Sequence, residues 1–190
     1  MKKIVSIIVC ISLLLALSGC SNRHEKIMKE AIAYAEDNTE LLRSCAKELQ
    51  ATISEMNLKK PGEKWGYRIE PAKGSRLRLY DWIEESETEI QSELCREVLN
   101  GGVVQNITLH YKNGALSVEF SCGGYGMGAN TGYYQITYIS SGKVDDLQFY
   151  DDKMTYIEKD KGYFGTETGG DNTFFYYQIA EDIIYSYAHF

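Results

Sequence analysis

Residues 106–120 have the sequence NITLHYKNGALSVEF, and this stretch decides the fold that we expect. Asn113-Gly114 is the strongest short-range signal for a two-residue hairpin turn. Folding on this turn places three pairs of apolar residues on one face: Tyr111 with Leu116, Leu109 with Val118, and Ile107 with Phe120. The opposite face then carries Thr108, His110, Ser117 and Glu119. Because turn and pattern agree, the register of this hairpin is well specified.

The residues after the hairpin predict further strands. A Gly-rich loop over 122–132 leads to a third strand over 133–139, and Ser141-Gly142 turns it back. This turn would pair Ile139 with Val144, Ile136 with Leu147, and Tyr134 with Phe149. Shorter strands are expected over 153–158 and 163–164. We therefore expect an antiparallel meander of four to five strands.

Helical periodicity precedes and follows these strands. Apolar residues recur at helical spacing over 22–57, with a weak point at 37–40 where Thr39 could cap a second helix. A further amphipathic helix is predicted over Trp82–Leu99, ended by Asn100-Gly101-Gly102. The tail fits a C-terminal helix, although Phe174–Tyr177 also has strand propensity.

The predicted fold class is α+β. N-terminal amphipathic helices would pack on one face of the meander, with a possible C-terminal helix closing the domain. The length suits one domain, which we place at residues 21–190.

Charge limits the class of partner. The whole chain has a net charge of −7, which argues against nucleic acid. Basic residues are concentrated over 59–78 and acidic residues from Asp145 onward. The basic segment could face an anionic bilayer or dock on a membrane complex, or it could be a solvated loop.

The first twenty residues have the layout of an export signal. Lys2 and Lys3 precede an apolar stretch over 4–17, which is shorter than the roughly 20 residues of a membrane-spanning helix. Leu17-Ser18-Gly19-Cys20 resembles the lipobox of bacterial lipoproteins. That resemblance implies cleavage before Cys20 and a diacylglyceryl anchor on Cys20, which would place the domain on the extracytoplasmic face of the cell membrane. The domain itself is similar in general appearance to uncharacterised small lipoproteins of Gram-positive bacteria.

Three cysteines follow Cys20. An odd number leaves one unpaired or paired with another molecule. Cys45 and Cys95 both fall on apolar faces of predicted helices. They could form a disulfide, which an exported location permits, or they could be small core residues.

The Gly-rich segment and the tyrosines are the candidate binding surface. Gly123, Gly124 and Gly126 could let backbone amides approach a ligand, with Tyr125, Tyr133 and Tyr134 nearby. Because Tyr133 and Tyr134 are neighbours in a predicted strand, they must point to opposite faces. Exposed tyrosines suit glycan or protein recognition, but tyrosine is also a common half-buried strand residue.

No catalytic, metal or cofactor motif occurs in the sequence. A Cys122–His110 pair is too far apart in the predicted register, roughly 17 Å at strand rise. Asp145, Asp146, Asp151 and Asp152 could bind Ca²⁺ but lack the EF-hand spacing, and Asp is also a common turn residue. We predict no catalytic residue, no metal and no cofactor.

The sequence therefore favours a lipid-anchored, non-catalytic module that binds a protein or an envelope component such as a glycan near the membrane. The alternative is an envelope hydrolase, in which Asp145, Asp151 or Glu158 would meet His110 in one pocket.

Overall fold

The computed structural model of the chain describes residues 23–56, 66–72, 76–82, 84–112, 115–127, 130–159 and 161–190. The predicted signal segment and Cys20 lie outside these residues, as do 59–65 and 73–75 of the basic segment over 59–78.

Ten antiparallel strands form one sheet in the described chain. In chain order they are Tyr67–Pro71 (β1), Leu77–Asp81 (β2), Ser86–Ile90 (β3), Asn106–Lys112 (β4), Ala115–Met127 (β5), Asn130–Ile139 (β6), Thr155–Lys159 (β7), Gly162–Thr166 (β8), Thr173–Ala180 (β9) and Ile183–His189 (β10). Their spatial order is β3-β2-β1-β4-β5-β6-β10-β9-β8-β7. The last strand therefore lies inside the sheet, between β6 and β9.

Three α-helices accompany the sheet in the described part of the chain. Helix α1 covers 23–37, α2 covers Thr39–Glu55, and α3 covers Glu93–Asn100. The break between α1 and α2 falls at Asn38, where the Thr39 hydroxyl donates back to the Ala35 carbonyl and caps nothing. Helix α3 begins with a side-chain cap, since the Ser92 hydroxyl accepts a hydrogen bond from the Cys95 amide.

One large core lies between the helices and one face of the sheet. Ala31, Leu42 and Leu49 of the helices share it with apolar side chains from β1, β2, β4, β5, β6 and β10. The alternation of apolar and polar residues along the strands explains why this face of the sheet is apolar. In β4 and β5 every second residue points toward the helices, and these include Ile107, Leu109, Val118 and Phe120.

The other face of the sheet is divided into an apolar part and a polar part. Over β6, β10 and β9, Ile139, Ile184 and Phe174 form a second core with the segment 144–154. This segment contains a 3₁₀ turn at Val144–Asp146, and Lys112 holds it by donating to the carbonyls of Leu147 and Tyr150 at 2.7 and 2.8 Å. The polar part, over β1, β4, β5 and the first half of β6, is not covered by any helix of the described residues, and it carries the candidate site.

The β4–β5 register has the pairs that the sequence predicts. Leu109 pairs with Val118, Ile107 with Phe120, and His110 with Ser117. The described residues of the Gly-rich segment, however, are strand and not loop, because β5 continues to Met127 and β6 begins at Asn130. A β-bulge between Ser121 and Gly123 accommodates Cys122, and Gly123 has the positive φ of 126° that glycine tolerates.

The predicted fold class is wrong. The protein is mostly β, with one ten-stranded sheet in place of a meander of four to five strands. The predicted C-terminal helix is the β9–β10 hairpin, and the predicted helix over 82–99 is strand β3 followed by the short α3. The hairpin predicted at Ser141-Gly142 does not form, because β6 pairs with β10 and the residues after the turn cross the sheet face.

Helices in the described residues are too short or too polar to cross a bilayer.

Candidate functional site

A cleft of about 750 Å³ opens on the polar part of the sheet face. Its floor is formed by side chains of the central strands, namely Arg68, Thr108, His110, Glu119, Ser121 and Gln135. Aromatic residues from other segments stand around it, namely Trp82, Tyr133, Phe149 and Phe190. We call this site the polar cleft.

A buried hydrogen-bonded group lies in the floor. His110 Nε2 is 3.0 Å from Glu119 Oε2, and the Gln135 amide donates to the same oxygen at 2.9 Å. Glu119 is only 1% exposed. A carboxylate so deep is stable only when it is paired, so His110 and Gln135 hold its charge and its orientation.

The register of the sheet brings these side chains together. Thr108 of β4 lies opposite Glu119 of β5, so His110 is the diagonal neighbour of Glu119 on the same face. Ser121 of β5 lies opposite Gln135 of β6, which places Gln135 beside Glu119 from the other side.

His110 Nδ1 and Glu119 Oε1 of this group, and Oγ1 of the neighbouring Thr137, have no hydrogen-bond partner among the described residues. Buried groups without a partner are uncommon, because each costs about 1–3 kcal/mol. Burial opposes a charge on His110, but attraction to Glu119 and the hydrogen bond between them raise the pKa of His110 above its ordinary value.

Three of the aromatic residues, Tyr133, Phe149 and Phe190, form a continuous wall on one side of the polar cleft. Tyr133 stacks on Phe149 with ring centroids 5.5 Å apart, and Phe149 meets Phe190 edge to face at 5.1 Å. Tyr133 is 39% exposed and Trp82 is 40% exposed. Both rings therefore keep apolar surface that a ligand can contact.

Among the described residues, each charged side chain that lines the cleft has an opposite charge beside it. Arg68 Nε lies 2.7 Å from Glu70 Oε1, and His110 lies against Glu119. The other polar side chains that line the cleft are neutral amides and hydroxyls, among them Gln105, Asn106 and Gln148.

The predicted binding residues divide between the two faces of the sheet. Gly123, Gly124 and Tyr133 line the polar cleft. Tyr134 points to the opposite face, as its neighbour Tyr133 requires, and is buried with its hydroxyl 3.1 Å from His24 Nδ1.

Tyr125 also lies on the helix side, where its hydroxyl is 2.7 Å from the Tyr187 hydroxyl. Gly126 is in β5 with a positive φ of 95° and is not among the residues that line the cleft. The structure thus separates Tyr125, Tyr134 and Gly126 from Tyr133, Gly123 and Gly124.

The acids of the hydrolase alternative do not join His110. Neither Asp145, Asp151 nor Glu158 lines the polar cleft, and Glu119 is the acid that meets His110. Cys122 is on the helix side of the sheet, where burial raises the pKa of its thiol to about 12. Among the described residues, no cluster of His, Cys, Asp and Glu is arranged to hold a metal ion.

Cys45 and Cys95 are in contact. Their Sγ atoms lie 3.3 Å apart in the core between α2 and α3, with both side chains fully buried. They are separate thiols in this structure.

Sequence reasoning placed Glu119 beside His110 on the polar face but gave it no role. The predicted register carried the necessary signal, because a diagonal pair across two antiparallel strands is within reach of long side chains. Gln135, Arg68, Trp82, Phe149 and Phe190 were missed. They come from other parts of the chain, and only the order of the strands brings them together.

A second depression, of about 780 Å³, lies between β1, β2 and α3. Its lining residues include Arg76, Glu93, Arg96 and Glu97 and contain no aromatic side chain. It therefore offers less for recognition than the polar cleft does.

Comparison with known proteins identifies no family. No family model matches the chain, and neither curated proteins nor solved structures give a match.

Proposed function

We propose that this protein is a lipid-anchored binding module of the extracytoplasmic membrane face, and that the polar cleft is its binding site. The supporting observation is the combination of a preformed cleft, a hydrogen-bonding floor and exposed aromatic rings. Ligand sites in proteins are typically concave, with apolar walls and a few fixed polar groups.

The position of α1 supports binding close to the membrane. His24 is held against the sheet, with its ring 4.5 Å from that of Tyr187 and its Nδ1 3.1 Å from the Tyr134 hydroxyl. In this proposal Cys20 carries the lipid. Four residues of extended chain reach at most about 14 Å, so the docked end lies near the bilayer. Tyr133 of the cleft is the next residue to Tyr134 and lies at this same end.

The proposal is tested by photocrosslinking in the native membrane. A photoreactive amino acid replaces Gln105 or Gln148 at the cleft, and Ser44 or Lys47 on the exposed side of α2 serves as the control position. We expect adducts from the two cleft positions only. Equal capture from α2 would place the binding surface elsewhere, and no adduct from the cleft positions would contradict the proposal.

The lipid anchor needs its own test. Replacing Cys20 by Ala should release the protein from the membrane fraction or leave an uncleaved precursor. A C20A protein that is processed to the mature size and still sediments with membranes would overturn the anchor.

One observation favours a hydrolase as the second candidate. His110 and Glu119 form a buried acid–base pair that lines the cleft. Against it, Nε2 of His110 is bound to Glu119, and Nδ1 is buried, so neither ring nitrogen is presented to a substrate. Cleavage of a captured partner by the wild-type protein but not by Glu119→Gln would favour the hydrolase.

A further inference from the structure

The chemistry of the polar cleft narrows the class of its ligand. The ligand class rests on the binding function proposed above and follows from three properties of the cleft: the balance of its charges, the kind of its hydrogen-bonding groups, and the pairing of its strands.

The charges of the cleft are already compensated. Arg68 has Glu70 at 2.7 Å, and His110 has Glu119 at 3.0 Å. A charged ligand would have to compete with these partners, and one of them, Glu119, is almost fully buried. The cleft therefore favours a neutral ligand.

The accessible polar groups suit hydroxyls. Amides and hydroxyls, which both donate and accept, come from exposed or half-buried residues of the cleft, namely Gln105, Asn106, Thr108, Ser121 and Gln148. Hydroxyls of a ligand also both donate and accept.

The aromatic wall suits a flat apolar face. Tyr133 is stacked on Phe149 with 21° between the rings, and its exposed part faces the cleft that it lines. A sugar ring presents C–H groups on its faces and hydroxyls around its rim. It could therefore contact Tyr133 while its hydroxyls bond to the amides of the floor.

The strands of the floor disfavour an extended peptide. β1, β4, β5 and β6 each pair with a neighbour on both sides. Their backbone groups are consequently occupied, and a peptide cannot add as a further strand at this site. The strands of the floor therefore offer a ligand hydrogen bonds from side chains.

We propose that the polar cleft binds a neutral glycan, with a sugar ring against Tyr133 and its hydroxyls bonded to the amide side chains of the floor and rim. A membrane-proximal glycan of the cell envelope is the ligand that this geometry fits.

The test uses the full chain in detergent, with Trp65→Phe as background so that Trp82 of the cleft is the single tryptophan. The probes are an array of neutral hexose and N-acetylhexosamine oligomers, with capped neutral peptides of similar size as the comparison. Hits are titrated by the Trp82 fluorescence change and by calorimetry. We expect oligosaccharides to bind and peptides not to bind.

Matched variants locate the site. Tyr133→Ala should weaken glycan binding about tenfold through loss of stacking, whereas Tyr163→Ala, an exposed tyrosine on β8, should leave it unchanged. Gln148→Ala should weaken binding by about fivefold, and Gln178→Ala on β9 should have no effect.

The outcomes separate this inference from the function on which it rests. If no oligosaccharide binds, or peptides bind and Tyr133→Ala abolishes that binding, the glycan proposal is wrong. Photocrosslinking from Gln105 and Gln148 would in either case still support a binding module. Oligosaccharide binding that Tyr133→Ala and Gln148→Ala leave unchanged would also overturn the assignment to this cleft.

Discussion

Nδ1 of His24 lies 3.1 Å from the hydroxyl of Tyr134, so the first turn of the described chain is held against the middle of the sheet. The two residues are 110 positions apart in sequence. Burial lowers the pKa of His24, with Lys159 contributing in the same direction, so the neutral imidazole is favoured as the partner of Tyr134.

Replacing His24 by Ala should detach this turn without unfolding the protein. We expect the free energy of unfolding to fall by about 1 kcal/mol, because the hydrogen bond and the ring contact are lost. Amide hydrogen exchange over 23–30 should become faster. Lys26→Ala, an exposed position of the same helix, is the control. Unchanged exchange over 23–30 in H24A would show that the contact does not hold the helix.

The pair His110–Glu119 predicts a pH-dependent stability. Because the pKa of His110 is raised in the folded protein, its contribution is complete below the unfolded value of about 6.5 and disappears as the pH rises through the folded pKa. His110→Gln should therefore destabilise by about 1–3 kcal/mol near pH 5.5 and by less near pH 8.5.

Denaturant unfolding of wild type and H110Q at the two pH values measures this difference. Comparing the two proteins cancels the effect of His24, whose lowered pKa acts with the opposite sign. If H110Q is destabilised more at the higher pH than at the lower pH, His110 is neutral in the folded protein and the prediction is wrong.

Asp182 and Arg43 join the β9–β10 turn to α2. Two guanidinium nitrogens of Arg43 donate to the two carboxylate oxygens of Asp182, each at 2.6 Å. The hydrogen bond from Arg43 is the main cause of the lowered pKa of Asp182, so this stability is present above about pH 4 and is lost as the pH falls further.

Arg43→Lys should lower the free energy of unfolding by about 1 kcal/mol near neutral pH, because an ammonium group cannot form the bidentate pair with Asp182. The measurement is urea unfolding at about pH 7 and about pH 3, where the difference between variant and wild type should shrink. Arg76→Lys, in an exposed pair with Glu89, is the matched control and should be nearly neutral.

Cys45 and Cys95 should form a disulfide when an external disulfide such as oxidised glutathione accepts the two electrons. Their sulfur atoms are 3.3 Å apart, and a bond requires about 2.05 Å, so a small movement is enough. A bridge between residues 50 positions apart restricts the unfolded chain. We therefore expect it to raise the free energy of unfolding by about 4 kcal/mol.

Alkylation of unfolded protein before and after reduction, followed by mass spectrometry, checks this. Oxidised protein should show two protected thiols, at Cys45 and Cys95, and Cys122→Ala should behave identically. Separate glutathione adducts on Cys45 and Cys95 would contradict the pairing.

How much of the structure the sequence predicts depends on how local the signal is. The β4–β5 register is correct because one turn and two short alternating strands specify it. The tail was misassigned as helix because β10 is covered on both faces. Ile183 packs in the core below the helices and Ile184 in the core on the other side, so the alternation that marks a strand disappears.

Strand β3 was missed for the opposite reason. It is an edge strand whose first four residues, Ser86 to Glu89, are all exposed, so it has no apolar alternation to read. The predicted hairpin after Ser141 failed because the place beside β6 belongs to β10. A partner so distant in sequence leaves no local signal. For the same reason the sequence did not predict the aromatic wall of the cleft. Phe149 and Phe190 contact Tyr133 because of the order of the strands, which no local pattern indicates.

The interior position of β10 has a consequence for biogenesis. The strands β3 to β6 and the strands β9 to β7 meet only through Ile183–His189. A chain that leaves a ribosome from its N-terminus therefore exposes an unpaired β6 edge until those residues emerge. The two parts of the sheet can join only after Ile183–His189 have been synthesised, so an early intermediate has an open edge that could pair with another chain.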